Sequence, residues 1–232
     1  MVSAEPDDDA LSGLPALPKR ASTAEYAAET LRRQIADGKL RPGMQLREGA
    51  IATAFSISRN TVREAFRLLA HARLVEHALH RGVYVRKVSA AEVHELYATR
   101  RLVQPLGVDA VLHDPGSIAA LRARVEAGAA AAAADDWDAA GTANVDFHRV
   151  MMAGCGSGHV TAMFEQVLAE LRLAFLLTTD HEGLHAPFVG ANQRLLELLA
   201  AGDRDGAQAE LQRYLLDAER IVLSLLHPNP TT

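Results

Sequence analysis

Apolar residues recur at three- and four-residue spacing along most of this chain, the signature of one buried helix face. The first such run starts near Thr23 with Tyr26, Ala27, Thr30, Leu31, Gln34 and Ile35, and stops at Asp37-Gly38, a C-cap pair. Leu40-Arg41-Pro42-Gly43 reads as a turn, Met44 to Arg47 as a short strand, and Glu48 to Phe55 as a second, short helix. Ser56-Ile57 leads into a third helix. There Val62, Ala65, Phe66 and Leu69 share one arc, while Arg59, Asn60, Arg63 and Arg67 share another. The period then shortens. Leu74-Val75-Glu76 and Val83-Tyr84-Val85 are β-type runs around a loop, His77 to Gly82.

From Ser89 onward the helical period returns. Ser89 and Glu92 form a capping-box pair, followed by Val93, Leu96, Tyr97, Arg100 and Val103. Further helices are expected over 116–134, 136–153, 158–178, 188–201 and 204–226, with breaks at Asp114-Pro115, Gly154 to Gly158, Asp180 to Pro187 and Gly202-Asp203. In that scheme Pro187 ends any helical turn begun before it. Residues 1–20 mix Pro, Gly, Ser and Asp without periodicity, and a disordered tail is expected. The pattern predicts a mainly α protein. A winged helix-turn-helix with a small β-hairpin wing (21–88) precedes an antiparallel α-helical bundle (89–227).

Charge sharpens that division. Residues 20–88 hold 13 Lys/Arg against 6 Asp/Glu, and residues 89–232 hold 10 against 19. A basic module can approach a polyanion that an acidic one avoids. The third helix carries Arg59, Arg63 and Arg67 at i, i+4 and i+8, with Ser58 as N-cap. Like charges at that spacing repel, and Arg59 meets the positive end of its own helix. Two readings follow: an ordinary solvated face, or a face that meets phosphates and guanine edges. The wing tip, His80 and Arg81 with Gly82, could lie against the DNA backbone or minor groove. A single cysteine, Cys155, excludes an internal disulfide framework. No apolar run approaches the roughly 20 residues that span a bilayer. Met1 to Ala10 is acidic and has no signal-peptide pattern, so the cytoplasm is expected.

The front module resembles the winged helix-turn-helix of the GntR family of bacterial transcription regulators. The residues that carry the likeness are Leu31 to Gly43, Leu46-Arg47-Glu48, Ser58 to Ala65, Leu68-Leu69 and Arg81-Gly82. The helical remainder resembles the ligand-binding FCD domain of the FadR-like subgroup, through Glu95 to Arg100 and Asn144-Val145-Asp146-Phe147-His148. The resemblance implies a dimeric, operator-binding repressor whose DNA affinity changes with a small, acidic effector. It implies operator-base contacts from Arg59 and Arg63, and matches Arg47 to a commonly basic position and Gly82 to the wing tip; with Ser58, Asn60, Thr61, Arg67 and Arg81 of the helix face and wing, these are the expected DNA-binding residues. Gly49 departs from it, since several relatives carry an arginine there.

Many members of that subgroup hold a divalent metal between Asp or Asn, a His four residues on, and two later histidines. Asn144 and His148 match the first pair, but the later positions fall on Asn192 and Tyr214. Amides and a phenol are poor ligands for such metals. No cofactor is therefore expected; His148 is the one imidazole left to a degraded ligand set. Asn144, His148, Asn192 and Tyr214 point inward by periodicity, either as satisfied core groups or as an effector pocket. Arg100 could pair with an effector carboxylate or with another helix. His181-Glu182-Gly183-Leu184-His185 matches the H-E-x-x-H pattern of zinc hydrolases. Gly183, Pro187 and the lack of a third ligand make that a coincidence of spacing, and no enzyme is expected.

Overall fold

The computed structural model describes residues 22–79 and 81–226. The expected tail, His80 at the wing tip and residue 227 lie outside the described residues. In chain order the elements are α1 (Thr23–Ala36), β1 (Gln45–Leu46), α2 (Glu48–Phe55), α3 (Arg59–His71), β2 (Val75–Ala78), β3 (Gly82–Val85), α4 (Ala90–His113), α5 (Pro115–Ala133), α6 (Trp137–Ala153), α7 (Gly158–Phe175), α8 (His181–Ala200) and α9 (Arg204–Leu226). Caps mark most helix starts. Ser22 with Glu25 and Ser89 with Glu92 form full capping boxes, and Ser58, Asp136, Ser157 and Asp180 accept from first-turn amides.

The wing is larger than a hairpin. β3 pairs antiparallel with β2 on one side and with β1 on the other, in the order β1-β3-β2. Strand residues extend to Ala78 and resume at Gly82, so the connecting loop is shorter than the expected His77–Gly82 span. Gln45 Nε2 on β1 donates to the Arg81 carbonyl at 2.7 Å and ties down the wing loop. Gly82 has φ +97°, a left-handed backbone that favours glycine.

The break expected at Asp180 to Pro187 is corrected. α8 begins at His181 and runs through Pro187 to Ala200. Proline removes one N–H bond, the one that would reach the Gly183 carbonyl, and the cost is confined to the second turn of a long helix whose apolar side chains Leu184, Phe188, Ala191 and Leu195 are buried. The Asp180 cap, accepting from Gly183 N at 2.8 Å, sets the helix start just ahead of it. Because this turn is helical, His185 enters the bundle. It is 3% exposed, packs edge-on against Phe175 at 5.6 Å, and abuts Gly141 of α6, where a Cβ would collide with its ring.

Buried apolar side chains of the head and the bundle form one contiguous cluster, from Leu31 and Phe66 to Leu215. Polar contacts fasten the same junction. Arg172 of α7 donates to the Ala36 carbonyl at the end of α1, at 3.1 Å. Glu170, 3% exposed, receives Arg86 at 3.2 Å and Arg73 at 3.6 Å, and Arg86 also pairs with Glu92.

Two predictions follow from this core. Replacing Glu170 by alanine takes from the largely buried Arg86 guanidinium one of its two carboxylates and leaves it Glu92; we expect a loss of about 2 kcal/mol in urea unfolding, with faster proteolysis at the head–bundle junction. Burial, aided by the nearby Arg172 and His181 charges, pushes the His185 imidazole down to about 4 from its ordinary 6.5. Between those values the unfolded chain binds a proton that the native one refuses. The stabilisation is therefore complete above pH 6.5 and drains away as pH falls toward 4, by about 3 kcal/mol in all. Unfolding measured across that window should lose the His185 share of its pH slope in His185→Gln, while the share of His148, also pushed down by burial, remains.

Candidate functional sites: an arginine face and a polar core

The first site is the outer face of α3. Ser56 ends α2 in the left-handed region, φ 53°, and turns the chain within three residues into the Ser58 cap. Ser58 Oγ accepts from Thr61 N at 3.1 Å and contacts Thr61 Oγ1 at 2.8 Å. Val62, Ala65, Phe66 and Leu69 are fully buried against the head's core. That burial fixes the rotation of the helix and leaves Arg59, Asn60, Arg63 and Arg67 exposed on the other side. Arg47 is exposed at the start of α2, and Arg81 and Gly82 are exposed on the wing.

Two of these arginines are held by the chain's own acids. Arg63 Nε donates to both Glu48 carboxylate oxygens, at 3.1 and 3.0 Å, and Arg67 pairs with Glu64 at 2.8 Å. Exposed pairs of this kind exchange readily for other anions. Arg59 forms no ion pair among the described residues, and its guanidinium lies over Gly49, 3.4 Å from where a Cβ would stand. The glycine at the departing position is therefore the floor on which Arg59 rests. An arginine there would compete with Arg59 for the same space.

The second site lies inside the bundle. Arg100, Gln104, His148, Asn192 and Tyr214 are each 6% exposed or less, and Asn144 is half-buried. They form two hydrogen-bonded strings. In one, Arg100 Nε donates to Gln104 Oε1 at 2.8 Å, and Gln104 Nε2 meets His148 Nδ1 at 2.8 Å. In the other, Tyr214 OH and Asn192 Nδ2 donate to Asn144 Oδ1 at 2.7 and 2.8 Å. The strings touch where the His148 and Tyr214 rings pack edge-on at 4.9 Å. Two buried atoms have no partner among the described residues, His148 Nε2 and Asn192 Oδ1. Arg100 has no carboxylate within ion-pair distance among the described residues; its charge faces the Tyr97 ring at 5.0 Å. Burial and the Arg100 charge hold the His148 imidazole well below its ordinary range, hence neutral, and burial pushes the Tyr214 phenol above its own.

The four polar residues singled out in the sequence thus come together, and Arg100 joins them through Gln104. Sequence reasoning missed Gln104, although it stands one helical turn after Arg100. It also missed His185, which it treated only as part of a zinc pattern. Two small cavities flank Asn144, one toward Arg100, Tyr97 and Phe188 and one toward His185 and Val125, each of about 10 Å³. Each has room for about one water. The large clefts, of about 540 and 560 Å³, lie instead between the head and α6–α8 and share Arg172.

The metal held by many resembling proteins does not fit these residues. Asn144 Oδ1 already accepts two bonds, and His148 Nδ1 is engaged by Gln104. No group of three or more His, Cys, Asp or Glu among the described residues could hold an ion. In the H-E-x-x-H stretch His181 pairs with Asp138 at 3.1 Å, Glu182 is exposed and His185 is core.

Comparison with known proteins agrees with both halves. The family model "Bacterial regulatory proteins, gntR family" matches residues 23–85, and the FCD domain model matches residues 95–217. A solved putative transcriptional regulator GntR from Rhodococcus sp. RHA1 is 36% identical, covering 87% of this chain and 97% of its own, with a TM-score of 0.81. The gluconate operon transcriptional repressor of Bacillus subtilis is 36% identical over 37% of this chain and 35% of its own. The probable D-xylose utilization operon transcriptional repressor of Paenarthrobacter nicotinovorans is 25% identical over 84% of this chain and 87% of its own. The match to the first curated relatives spans about a third of their length, 38% and 32%. These relatives are transcriptional regulators and not enzymes. The chain belongs to the GntR family, with an FCD domain as its helical part.

Proposed function

We propose that this chain is a one-component repressor that binds a palindromic operator as a homodimer and releases it when a small carboxylate enters the bundle. The observation that carries the reading is the face of α3: four residues fully buried on one side, and Arg59, Arg63 and Arg67 exposed on the other. One such helix per half-site enters the major groove. Arg59 and Arg63 read base edges, guanine above all. Ser58, Asn60 and Thr61 sit at the helix start, where backbone amides favour phosphate. Arg47, Arg67, Arg81 and Gly82 follow the backbone on either side. Glu48 and Glu64 hold their arginines until phosphates or guanine displace them.

The effector residues are Arg100, Asn144, His148, Asn192 and Tyr214. Arg100 supplies the charge for a carboxylate; the amides and the phenol supply hydrogen bonds to its hydroxyls. Cavities of one water each mean that the helices around Asn144 must part when the effector enters. That motion has a path to the head, because α7 carries Phe175 beside His185 and also Glu170 and Arg172 at the junction. Effector affinity and operator affinity are then linked through one equilibrium. Among the described residues no helix is long and apolar enough to cross a membrane, and the cytoplasm is the proposed place of action.

Operators selected from random duplex by the purified protein test this directly. Affinity should fall steeply between about 50 and about 200 mM salt. Arg63→Ala should weaken the selected site by roughly 10- to 100-fold and erase its preference over scrambled duplex. Retained discrimination would remove α3 from base reading. For the effector, relatives named for gluconate and D-xylose operons make D-gluconate the first probe, within a panel of small hydroxy acids. The active acid should lower operator affinity on the order of 5- to 150-fold. Arg100→Met should abolish that response while binding operator normally.

A further inference from the structure

The Arg100–Gln104–His148 string has a direction. A guanidinium can only donate, so the Gln104 oxygen must face Arg100 Nε, at 2.8 Å. The amide NH2 then faces His148 Nδ1, at 2.8 Å, and it too can only donate. Nδ1 is therefore the lone pair of the ring and Nε2 carries the proton. Nε2–H is the buried donor without a partner. The string is sealed from bulk water: Arg100 is 3% exposed, Gln104 0% and His148 1%. Turning the amide over would set its NH2 against the guanidinium, a donor-to-donor contact that no tautomer of His148 relieves.

A divalent metal needs the opposite arrangement. Its histidine ligand offers a lone pair at one ring nitrogen and gives the other N–H to an acceptor, often a carboxylate. His148 has its lone pair occupied by a donor and its free nitrogen protonated, and the Arg100 charge opposes any cation nearby. We infer that Gln104 makes the bundle site of this chain metal-independent: it locks His148 as a hydrogen-bond donor, and an organic carboxylate is met directly by Arg100 and not through a divalent ion. The lock stands on geometry alone; the carboxylate half rests on the proposed effector role. A carboxylate in place of the Gln104 amide would accept from Nδ1–H, free the Nε2 lone pair and convert the same ring into a ligand. Whether this one ring can act as a ligand then rests on an amide, while Asn192 and Tyr214 still offer no good metal donor.

The test uses the full-length chain, freed of metal by chelation, with histidine nitrogens observed by long-range ¹H–¹⁵N NMR and Zn²⁺ as the probe. Wild type should show His148 with its proton on Nε2, and added Zn²⁺ should leave that ring unperturbed. In Gln104→Glu the proton should move to Nδ1, and Zn²⁺ affinity at His148 should rise roughly 10- to 100-fold. Should that variant fail to fold by thermal melting, Arg100→Met serves in its place. With no donor to orient the amide, the single wild-type tautomer should give way to a mixture. A wild-type proton on Nδ1 would overturn the lock, and so would equal Zn²⁺ affinity at His148 in wild type and Gln104→Glu. None of these readouts uses DNA or an effector. A repressor that no carboxylate releases would defeat the functional reading and leave the lock standing, while an Nδ1–H wild type defeats the lock alone.

Discussion

A buried guanidinium, Arg100, with no carboxylate partner among the described residues is the constraint around which the bundle is built. Leaving such a charge uncompensated costs on the order of several kcal/mol. The fold moderates that cost with the Tyr97 ring and the Gln104 carbonyl oxygen, neither of which carries a charge. Everything else in the polar core follows. Gln104 is oriented by Arg100, His148 is oriented by Gln104, and the His148 ring is backed by Tyr214, which points its hydroxyl at Asn144. A core polarised by one cation without an ion pair among the described residues, and holding almost no free volume, is closed yet keeps unmet polar capacity at His148 Nε2 and Asn192 Oδ1.

Between that core and the arginine face stands α7. Its inner side packs Leu171, Ala174 and Phe175 into the bundle, and its outer side gives Glu170 to Arg86 and Arg73 and Arg172 to the end of α1. The attachment is a buried carboxylate shared by two arginines and a guanidinium on a helix C-terminus, where a cation is favoured. Such contacts depend on direction and distance more than apolar packing does. A small displacement of α7 would therefore be felt at the head as a change of angle. The clefts on either side of Arg172 leave room for that movement.

Periodicity made the helices legible, because each buries one stripe and most begin at a capping side chain. It also placed Asn144, His148, Asn192 and Tyr214 on inward faces. Three features escaped it. The pairing of β1 with β3 depends on contact between residues far apart in sequence, which no local pattern encodes. The course of α8 through Pro187 depended on where the proline falls relative to the cap, a matter of one helical turn. The partners of the charged groups escaped altogether. Glu48 is fifteen residues from Arg63 and on another helix, so the local count of like charges along α3 overstated their mutual repulsion. Gln104 was passed over because an uncharged amide on a helix gives no signal until its neighbours are known.

The two ends of the molecule treat their arginines in opposite ways. On α3 the guanidiniums are exposed, and Arg63 and Arg67 rest on carboxylates that a phosphate can replace at little cost. Such pairing moderates indiscriminate attraction to any polyanion and preserves the reach of each side chain toward a base that fits. In the bundle the guanidinium is desolvated and kept from carboxylates, so an anion entering there loses its water but gains an interaction no solvent screens. Weak, exchangeable pairing suits a surface that must scan duplex. Strong, unrelieved charge suits a cavity that must recognise one small molecule. Arginine suits both proposed uses because it stays charged in either setting, and on that reading the difference between reader and sensor is the carboxylates the chain places beside it or withholds.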